Sequence, residues 1–222
     1  MFDANCLKLM FVAGSQDFYH IKGGKNDRIN ALLDALELAL QSKITAFQFR
    51  QKGDLALQDP VEIKQLALEC QKLCQKYGVP FIVNDEAPLA LELKADGVHV
   101  GQEDMAIEEV ITLCKKRQFI GLSVNTLEQA LKARHLDGVA YLGVGPIFPT
   151  PSKKDIKQVV GVELLKKIKD SGVKKPLIAI GGINTDNASK LRECGVSGIA
   201  VISAIAQAKD KALAVGKLLN HA

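Results

Sequence analysis

Charged side chains occur where three consecutive apolar runs of the chain end. Arg50 and Lys52 follow one run, Asp85 follows the next, and Asp104 follows the third. Carboxylate oxygens are ligands that Mg²⁺ prefers, and Arg and Lys bind phosphate oxygens. If the three runs lie side by side, these residues form a site for a divalent cation and a polyanion.

Small and hydroxyl-bearing residues follow the later apolar runs. A loop over residues 145–153 comes first, then the pair Gly181-Gly182, and then Ser203 at the start of a helical pattern. Backbone N–H groups at glycine-rich turns and helix starts bind phosphate. We therefore predict a second phosphate site, so that two phosphorylated ligands are implied.

Each of these residues also has a purely structural explanation. Asp85 and Asp104 precede predicted helices and could serve as N-caps, and Gly181-Gly182 could form only a tight turn. We interpret His99 as a hydrogen-bonded core residue before a catalytic one, because no nucleophile accompanies it.

Eight short apolar runs alternate with longer amphipathic segments, a pattern typical of parallel strands joined by helices. The predicted strands are Lys8–Val12, Ala46–Arg50, Phe81–Val83, Gly97–Val100, Phe119–Ser123, Ala140–Val144, Leu177–Ile180 and Gly198–Ile202. The units average about 28 residues, close to the length of a βαβ unit. Even spacing favours an α/β fold of the closed (β/α)₈ TIM-barrel type over an open doubly wound sheet, as a single domain over residues 1–222.

The predicted helices carry end signals. Asp59 and Pro60 mark the start of one helix and Gly78 marks its end, and capping residues also stand at 126–129 and 184–186. Barrels bind ligands at the carboxyl ends of their strands, which is where the charged and glycine-rich residues fall. This shared position favours a binding site over separate structural roles.

Composition argues against several functional classes. No apolar run approaches the ~18 residues that span a membrane, and the first residues lack a secretory signal. We therefore expect a cytoplasmic protein. Aromatic residues make up only 5% of the chain, which is unlike a nucleic-acid binder with a basic, aromatic surface. Five cysteines without a CxxC motif predict reduced thiols, with Cys70 and Cys74 in the core.

Six segments, taken in order along the chain, carry motifs of one known family. The segments are Gln48–Lys52, Val83–Asp85, Gly97–Asp104, Gly145–Lys153, Ala179–Ile183 and Ala200–Ile205. In them the chain resembles the thiamine-phosphate synthases. The resemblance implies a (β/α)₈-barrel transferase that couples hydroxymethylpyrimidine pyrophosphate to a thiazole phosphate, with release of pyrophosphate.

The resemblance also implies roles for individual residues. Asp85 and Asp104 would bind Mg²⁺. The pyrimidine pyrophosphate would contact Gln48, Arg50, Lys52, Asn84, Ser123 and Lys153. The thiazole phosphate would contact Thr150, Ser152, Gly182, Ile202 and Ser203. Further substrate contacts are predicted at Phe49, Gln51 and Pro151, and catalytic roles at Arg50, Lys52 and Lys153.

The chain departs from the family pattern in two places. Gln51 stands where many relatives carry Glu, and the segment 86–88 lacks the basic or aromatic residues common after Asn-Asp. The loop over residues 14–26 is not matched. The expected partners are two small-molecule substrates, with homo-oligomerisation left open and with neither nucleic acid nor a membrane.

Three rival functions account for parts of the pattern. A thiazole tautomerase of the same barrel family needs no pyrophosphate site, so the charged residues at the strand ends argue against it. Another phosphate-binding barrel, such as an isomerase of tryptophan or histidine biosynthesis, would share only the Gly181-Gly182 pair. Such an enzyme needs a positioned acid and base, and no such pair is evident. A non-catalytic sensor of phosphorylated ligands would not need the complete set of polar residues.

Overall fold

The computed structural model describes residues 2–115, 117–150 and 158–220. Its eight parallel strands close into a barrel in chain order, with the last strand paired to the first. The strands are β1 (Leu9–Ala13), β2 (Ala46–Phe49), β3 (Phe81–Asn84), β4 (Gly97–Val100), β5 (Phe119–Val124), β6 (Val139–Val144), β7 (Leu177–Ile180) and β8 (Gly198–Val201). The predicted (β/α)₈ TIM barrel is confirmed.

Helices follow the strands and cover the outside of the barrel. They are α1 (Lys25–Gln41), α2 (Pro60–Tyr77), α3 (Ala87–Glu92), α4 (Ile107–Cys114), α5 (Leu127–Ala133), α6 (Gly161–Asp170), α7 (Ser203–Ala206) and α8 (Lys211–Leu219). Short 3₁₀ helices are formed by Ala4–Leu7, Ser15–Phe18 and Ala188–Cys194. No described helix is long and apolar enough to cross a membrane.

Strand residues alternate between the barrel interior and the layer beneath the helices. In β1, Met10 and Val12 belong to the interior cluster, whereas Leu9, Phe11 and Ala13 pack in the outer layer. Parallel strands covered on both sides are apolar on both faces, and the period of two decides which face each residue serves. The same alternation decides which residues of β2 can reach a ligand.

Most of the predicted element ends agree with the structure. The strands β4 and β7 match at both ends, and the other strands differ by one residue at one or both ends. Asp59 caps α2 by accepting a hydrogen bond from the Val61 N–H, and Gly78 ends it with a φ of +66°. The capping box at the start of α5 is also present. Cys70 and Cys74 are buried free thiols, as predicted.

The predicted helix start at residues 184–186 is wrong. The Asn184 side chain accepts hydrogen bonds from the Asp186 and Asn187 N–H groups and so forms a turn of its own. The helix that follows is a 3₁₀ helix that begins only at Ala188. Asn side chains stabilise turns and helix caps by similar hydrogen bonds, so the sequence alone did not separate the two.

Candidate active site

A cavity of about 570 Å³ opens at the carboxyl end of the barrel. Every strand contributes to its wall, either through its last residues or through the loop that follows. Eleven of the residues predicted from sequence line it: Gln48, Arg50, Lys52, Asn84, Asp85, Asp104, Ser123, Thr150, Gly182, Ile202 and Ser203. The chain therefore brings the predicted charged and glycine-rich residues together in one cavity.

The wall formed by the ends of β2, β3 and β4 carries charged side chains. We call Arg50, Lys52, Asp85 and Asp104 the charged half of the cavity. Lys52 Nζ lies 2.9 Å from Asp85 Oδ2 and 3.5 Å from Asp104 Oδ1. Each carboxyl group also shifts the pKa of the other. Two carboxyl groups and an ammonium group thus meet at one point of the wall.

Local backbone structure directs both carboxyl groups. Asp85 has a φ of +64°, unusual for a residue with a side chain, and its N–H donates to the His99 carbonyl at 2.7 Å. Asp104 Oδ2 accepts a hydrogen bond from the Gly101 N–H at 2.8 Å. Neither residue is the N-cap of the helix that follows it, because α3 and α4 begin after Glu86 and Ala106. The N-cap alternative is therefore wrong for both residues.

The two carboxyl groups differ in their affinity for a proton. Burial raises the pKa of Asp85; the hydrogen bond from Lys52 opposes this rise, and Asp104 adds to it. Burial also acts to raise the pKa of Asp104. The pKa is nevertheless lowered overall, because Asp85, the Gly101 N–H and the charge of Lys52 all favour the ionised form. Asp85 therefore binds a proton more readily than Asp104 does.

This pair of carboxyl groups has the chemistry of a Mg²⁺ site. Magnesium is held in many enzymes by one or two carboxylates, with water and substrate phosphates as its other ligands. Within the part of the chain that the structure describes, no group of three or more His, Cys, Asp or Glu side chains could hold a metal ion. Asp85 and Asp104 are thus the carboxylates that could hold the ion in the charged half.

The loop after β1 holds the backbone of Arg50. The Gln16 amide donates to the Arg50 carbonyl at 2.7 Å and also donates to Asp17 at 2.9 Å. Asp17 accepts a second hydrogen bond from the Gly14 N–H. Burial raises the pKa of Asp17 to about 6, although its hydrogen bonds and the nearby Arg50 charge oppose the rise. This loop, to which the sequence motifs assigned no role, supports the charged half.

The opposite wall, at the ends of β6, β7 and β8, is rich in glycine. We call Gly145, Gly181, Gly182 and Ser203 the glycine half of the cavity. Gly182 has a φ of +65°, and a Cβ there would lie 2.5 Å from the Pro149 carbonyl oxygen and 2.6 Å from that of Phe148. A side chain at this position would therefore collide with the loop after β6. Ser203 is the first residue of α7, as predicted.

Two predicted substrate contacts need correction. Phe49 does not line the cavity, because alternation along β2 turns it into the outer apolar layer, where its ring lies 6.3 Å from that of Phe81. Gln51 lies behind the wall, where its Oε1 accepts hydrogen bonds from the Ser15 hydroxyl and the Leu57 N–H. A glutamate would offer the same acceptor, so the departure from the family pattern changes the charge but not this contact.

Three other predicted residues, Pro151, Ser152 and Lys153, lie outside the described residues. The structure adds cavity residues that the sequence reasoning missed, among them Val12, Asn125 and Val159. Asn125 follows β5 directly, so its position after a strand was the available signal, and its amide donates to the Gly145 carbonyl. Val12 and Val159 are ordinary apolar residues that carry no such signal.

Comparison with known proteins gives the chain a family. The sequence model described as "Thiamine monophosphate synthase" matches residues 18–205. A thiamine-phosphate synthase of Helicobacter pylori is 91% identical over 222 residues, which is all of both chains. The chain belongs to the thiamine-phosphate synthase family. The family predicted from the sequence motifs is confirmed, and so is the prediction of an enzyme of the transferase type.

More distant members of the thiamine-phosphate synthase family agree. The relative from Pasteurella multocida is 51% identical over 216 residues, covering 97% of this chain and 96% of its own. The solved structure of a thiamine phosphate pyrophosphorylase from Pyrococcus furiosus superposes with a TM-score of 0.81 at 36% identity, covering 98% of this chain and 96% of that one. The whole barrel, and not one segment of it, is therefore shared with the family.

Proposed function

We propose that this chain joins hydroxymethylpyrimidine pyrophosphate to a thiazole phosphate, giving thiamine phosphate and pyrophosphate. The observation that carries the proposal is the cluster of Lys52, Asp85 and Asp104 beside Arg50 in a cavity whose other wall is glycine-rich. One wall suits a metal-bound pyrophosphate, and the other suits a single phosphate held by backbone N–H groups. The family membership supports the same reaction.

We propose that Asp85 and Asp104 hold Mg²⁺. When bound, the ion supplies positive charge that stabilises the departing pyrophosphate. Arg50 and Lys52 bind oxygens of the same leaving group, and Lys153 would join them. Cationic side chains that are already in place cost little reorganisation as negative charge develops, so they favour cleavage of the C–O bond.

The remaining residues of the cavity orient the two substrates. The bond to pyrophosphate breaks and leaves a cation that the electron-rich aminopyrimidine stabilises, and the thiazole nitrogen then forms the new bond to that carbon. Gln48, Asn84 and Ser123 would hold the pyrimidine side. Thr150, Ser152, Gly182, Ile202 and Ser203 would hold the thiazole phosphate. The reaction needs no strong base or nucleophile, so orientation and charge stabilisation are the main tasks of the protein.

The direct test is turnover by the purified chain. The protein would be incubated with both substrates and Mg²⁺, and thiamine phosphate would be measured by chromatography with mass detection. We expect product only when both substrates and the metal are present, and loss of product when a chelator is added. Binding of both substrates without product would support a non-catalytic sensor, and binding of thiazole phosphate alone would support a tautomerase-like barrel.

We further propose that the protein acts in the cytoplasm, with small molecules as its only required partners. The enzyme assay in a soluble cell fraction compared with a membrane fraction would test the location. Light scattering of the purified protein would measure whether copies of the chain assemble. Activity found mainly with the membranes would contradict the proposed location.

A further inference from the structure

A chain of polar side chains crosses the barrel interior just below the cavity. His99 Nε2 lies 2.9 Å from the Ser123 hydroxyl, and His99 Nδ1 lies 2.9 Å from the Tyr141 hydroxyl. The Gln48 amide, whose Nε2 lies 3.6 Å from Met10 Sδ, also acts on the Tyr141 phenol and acts to lower its pKa. Gln48, His99 and Ser123 line the cavity, whereas Tyr141 is fully buried beneath them. The chain therefore connects Gln48 and Ser123 through Tyr141 and His99.

Two glycines in the strands of the barrel leave room for this network. A Cβ on Gly121 would overlap both Tyr141 and His99, and a Cβ on Gly143 would lie 2.9 Å from His99 Cε1. Glycine inside a strand weakens it, so its presence often marks a site where another group approaches closely. An apolar residue could fill the same space without polar atoms to satisfy. What distinguishes His99 and Tyr141 from apolar residues of similar size is therefore that they form hydrogen bonds.

The surroundings set the direction of each hydrogen bond. Gln48 Nε2 faces Met10 Sδ at 3.6 Å, and a thioether sulfur only accepts, so the NH₂ group of the amide points into the barrel. Gln48 then donates to the Tyr141 oxygen. Burial raises the pKa of Tyr141, and the hydrogen bond from Gln48 opposes but does not cancel that rise, so the phenol keeps its proton.

The protonated phenol has one described acceptor, His99 Nδ1. If Tyr141 donates to Nδ1, neutral His99 carries its own proton on Nε2 and donates it to the Ser123 oxygen. The Ser123 hydrogen is then left for a group in the cavity. At the other end of the chain, the Gln48 oxygen is left as an acceptor. The network therefore fixes a donor at Ser123 and an acceptor at Gln48.

We propose that His99, oriented by Tyr141, is a positioning residue that makes the Ser123 hydroxyl a donor and the Gln48 amide oxygen an acceptor toward the cavity. Together they would select a neutral heteroaromatic ring that carries an amino group beside a ring nitrogen. The choice of ring depends on the proposed function, since an aminopyrimidine is such a ligand. The hydrogen-bond directions do not depend on it.

The kinetic test uses two replacements of His99 that each keep one nitrogen position. Glutamine can place its amide nitrogen near Nε2 and keep the donor to Ser123, whereas asparagine can reach only the position of Nδ1. We expect His99→Asn to lower kcat/KM for the pyrimidine pyrophosphate about tenfold or more, and His99→Gln to restore most of that loss. KM for the thiazole phosphate should change less than about twofold in either variant.

A double variant separates positioning from a structural role. If His99 acts through Ser123, adding His99→Asn to Ser123→Ala should cause little further loss, because the hydroxyl that it orients is already gone. Independent, multiplied losses would overturn the proposal. Equal loss for both substrates, accompanied by a lower unfolding temperature in both His99 variants, would also overturn it.

The ligand-free protein offers a test that is independent of the reaction. Nitrogen-15 NMR of the four histidines would give the His99 tautomer, with its signal assigned by its absence from His99→Asn. We expect the Nε2–H tautomer in the native chain and a mixture of tautomers in Tyr141→Phe. The Nδ1–H tautomer in the native chain would overturn the inference even if thiamine phosphate is made. If no thiamine phosphate is made, only the proposed function fails, and the tautomer still decides the network.

Discussion

The half of the cavity formed by β2, β3 and β4 differs from the half formed by β6, β7 and β8 in the source of its polarity. The charged half relies on side chains, with Lys52 within 3.5 Å of two carboxyl groups. The glycine half relies on backbone, and at Gly182 there is no room for a Cβ. Side-chain charges can neutralise a polyanion and a metal, whereas backbone N–H groups suit one phosphate. The asymmetry therefore supports the proposal that each half binds a different ligand.

The comparison predicts the largest loss of activity when either carboxyl group of the pair is removed. We expect Asp85→Ala and Asp104→Ala each to lower kcat about 100-fold or more, because either change leaves one carboxylate to hold the metal. The assay is turnover over a Mg²⁺ titration in chelator-treated buffer. The control is Glu128→Ala, which removes an exposed carboxylate on α5. If both variants keep near-normal rates at micromolar Mg²⁺, the charged half does not hold the metal.

The next effect concerns the shape of the cation at residue 50. Arginine can hold two phosphate oxygens at once, whereas lysine presents a single point charge. We expect Arg50→Lys to lower kcat about 10- to 100-fold, beyond any rise in KM for the pyrimidine pyrophosphate. The control is Arg134→Lys at the end of α5. A change confined to KM would mean that Arg50 helps to bind the pyrimidine pyrophosphate but does not stabilise the transition state further.

The glycine half should respond to a smaller and more selective change. We expect Gly182→Ala to weaken binding of thiazole phosphate about tenfold, because the new Cβ must displace the loop after β6 from the backbone that holds the phosphate. Binding of pyrimidine pyrophosphate should be nearly intact. Calorimetric titration with each ligand separately would measure both affinities.

Gly78→Ala is the matched control for this experiment. Gly78 has a φ of +66°, almost the same as the +65° of Gly182, but a Cβ there would meet nothing within 4 Å. It therefore carries the same backbone strain without the collision. If the two variants bind thiazole phosphate equally well, the steric argument for Gly182 is wrong. Equal loss of both ligands in Gly182→Ala would mean that the two halves are not independent sites.

Residue types and strand positions were enough to predict the barrel and the members of both halves. They did not predict which residues of β2 reach the cavity, because Gln48 and Phe49 share a motif and only the strand register separates them. They also did not predict the support of Arg50 by Gln16, a contact 34 residues distant in sequence. Such contacts depend on barrel closure, which brings together loops that local patterns treat separately.

The smallest predicted effect tests whether pH acts on the support of the charged half. Burial raises the pKa of Asp17 from 3.8 to about 6 in the folded chain, so the folded state binds this proton more tightly than the unfolded state does. The stabilisation from protonated Asp17 is thus full below about pH 4 and is lost as the pH rises through about 6. Asn at this position stays neutral and can still accept from the Gly14 N–H.

We therefore expect Asp17→Asn to gain stability relative to the native chain between about pH 4.5 and pH 7.5, by about 1–3 kcal/mol. Urea unfolding of both proteins at several pH values would measure the difference. The control, Asp186→Asn, replaces an exposed carboxylate in the turn after β7 and should show little change over this range. If the difference in free energy of unfolding between Asp17→Asn and the native chain does not change with pH, the buried carboxyl does not titrate in this range. The charged half would then be no more pH-sensitive than the glycine half.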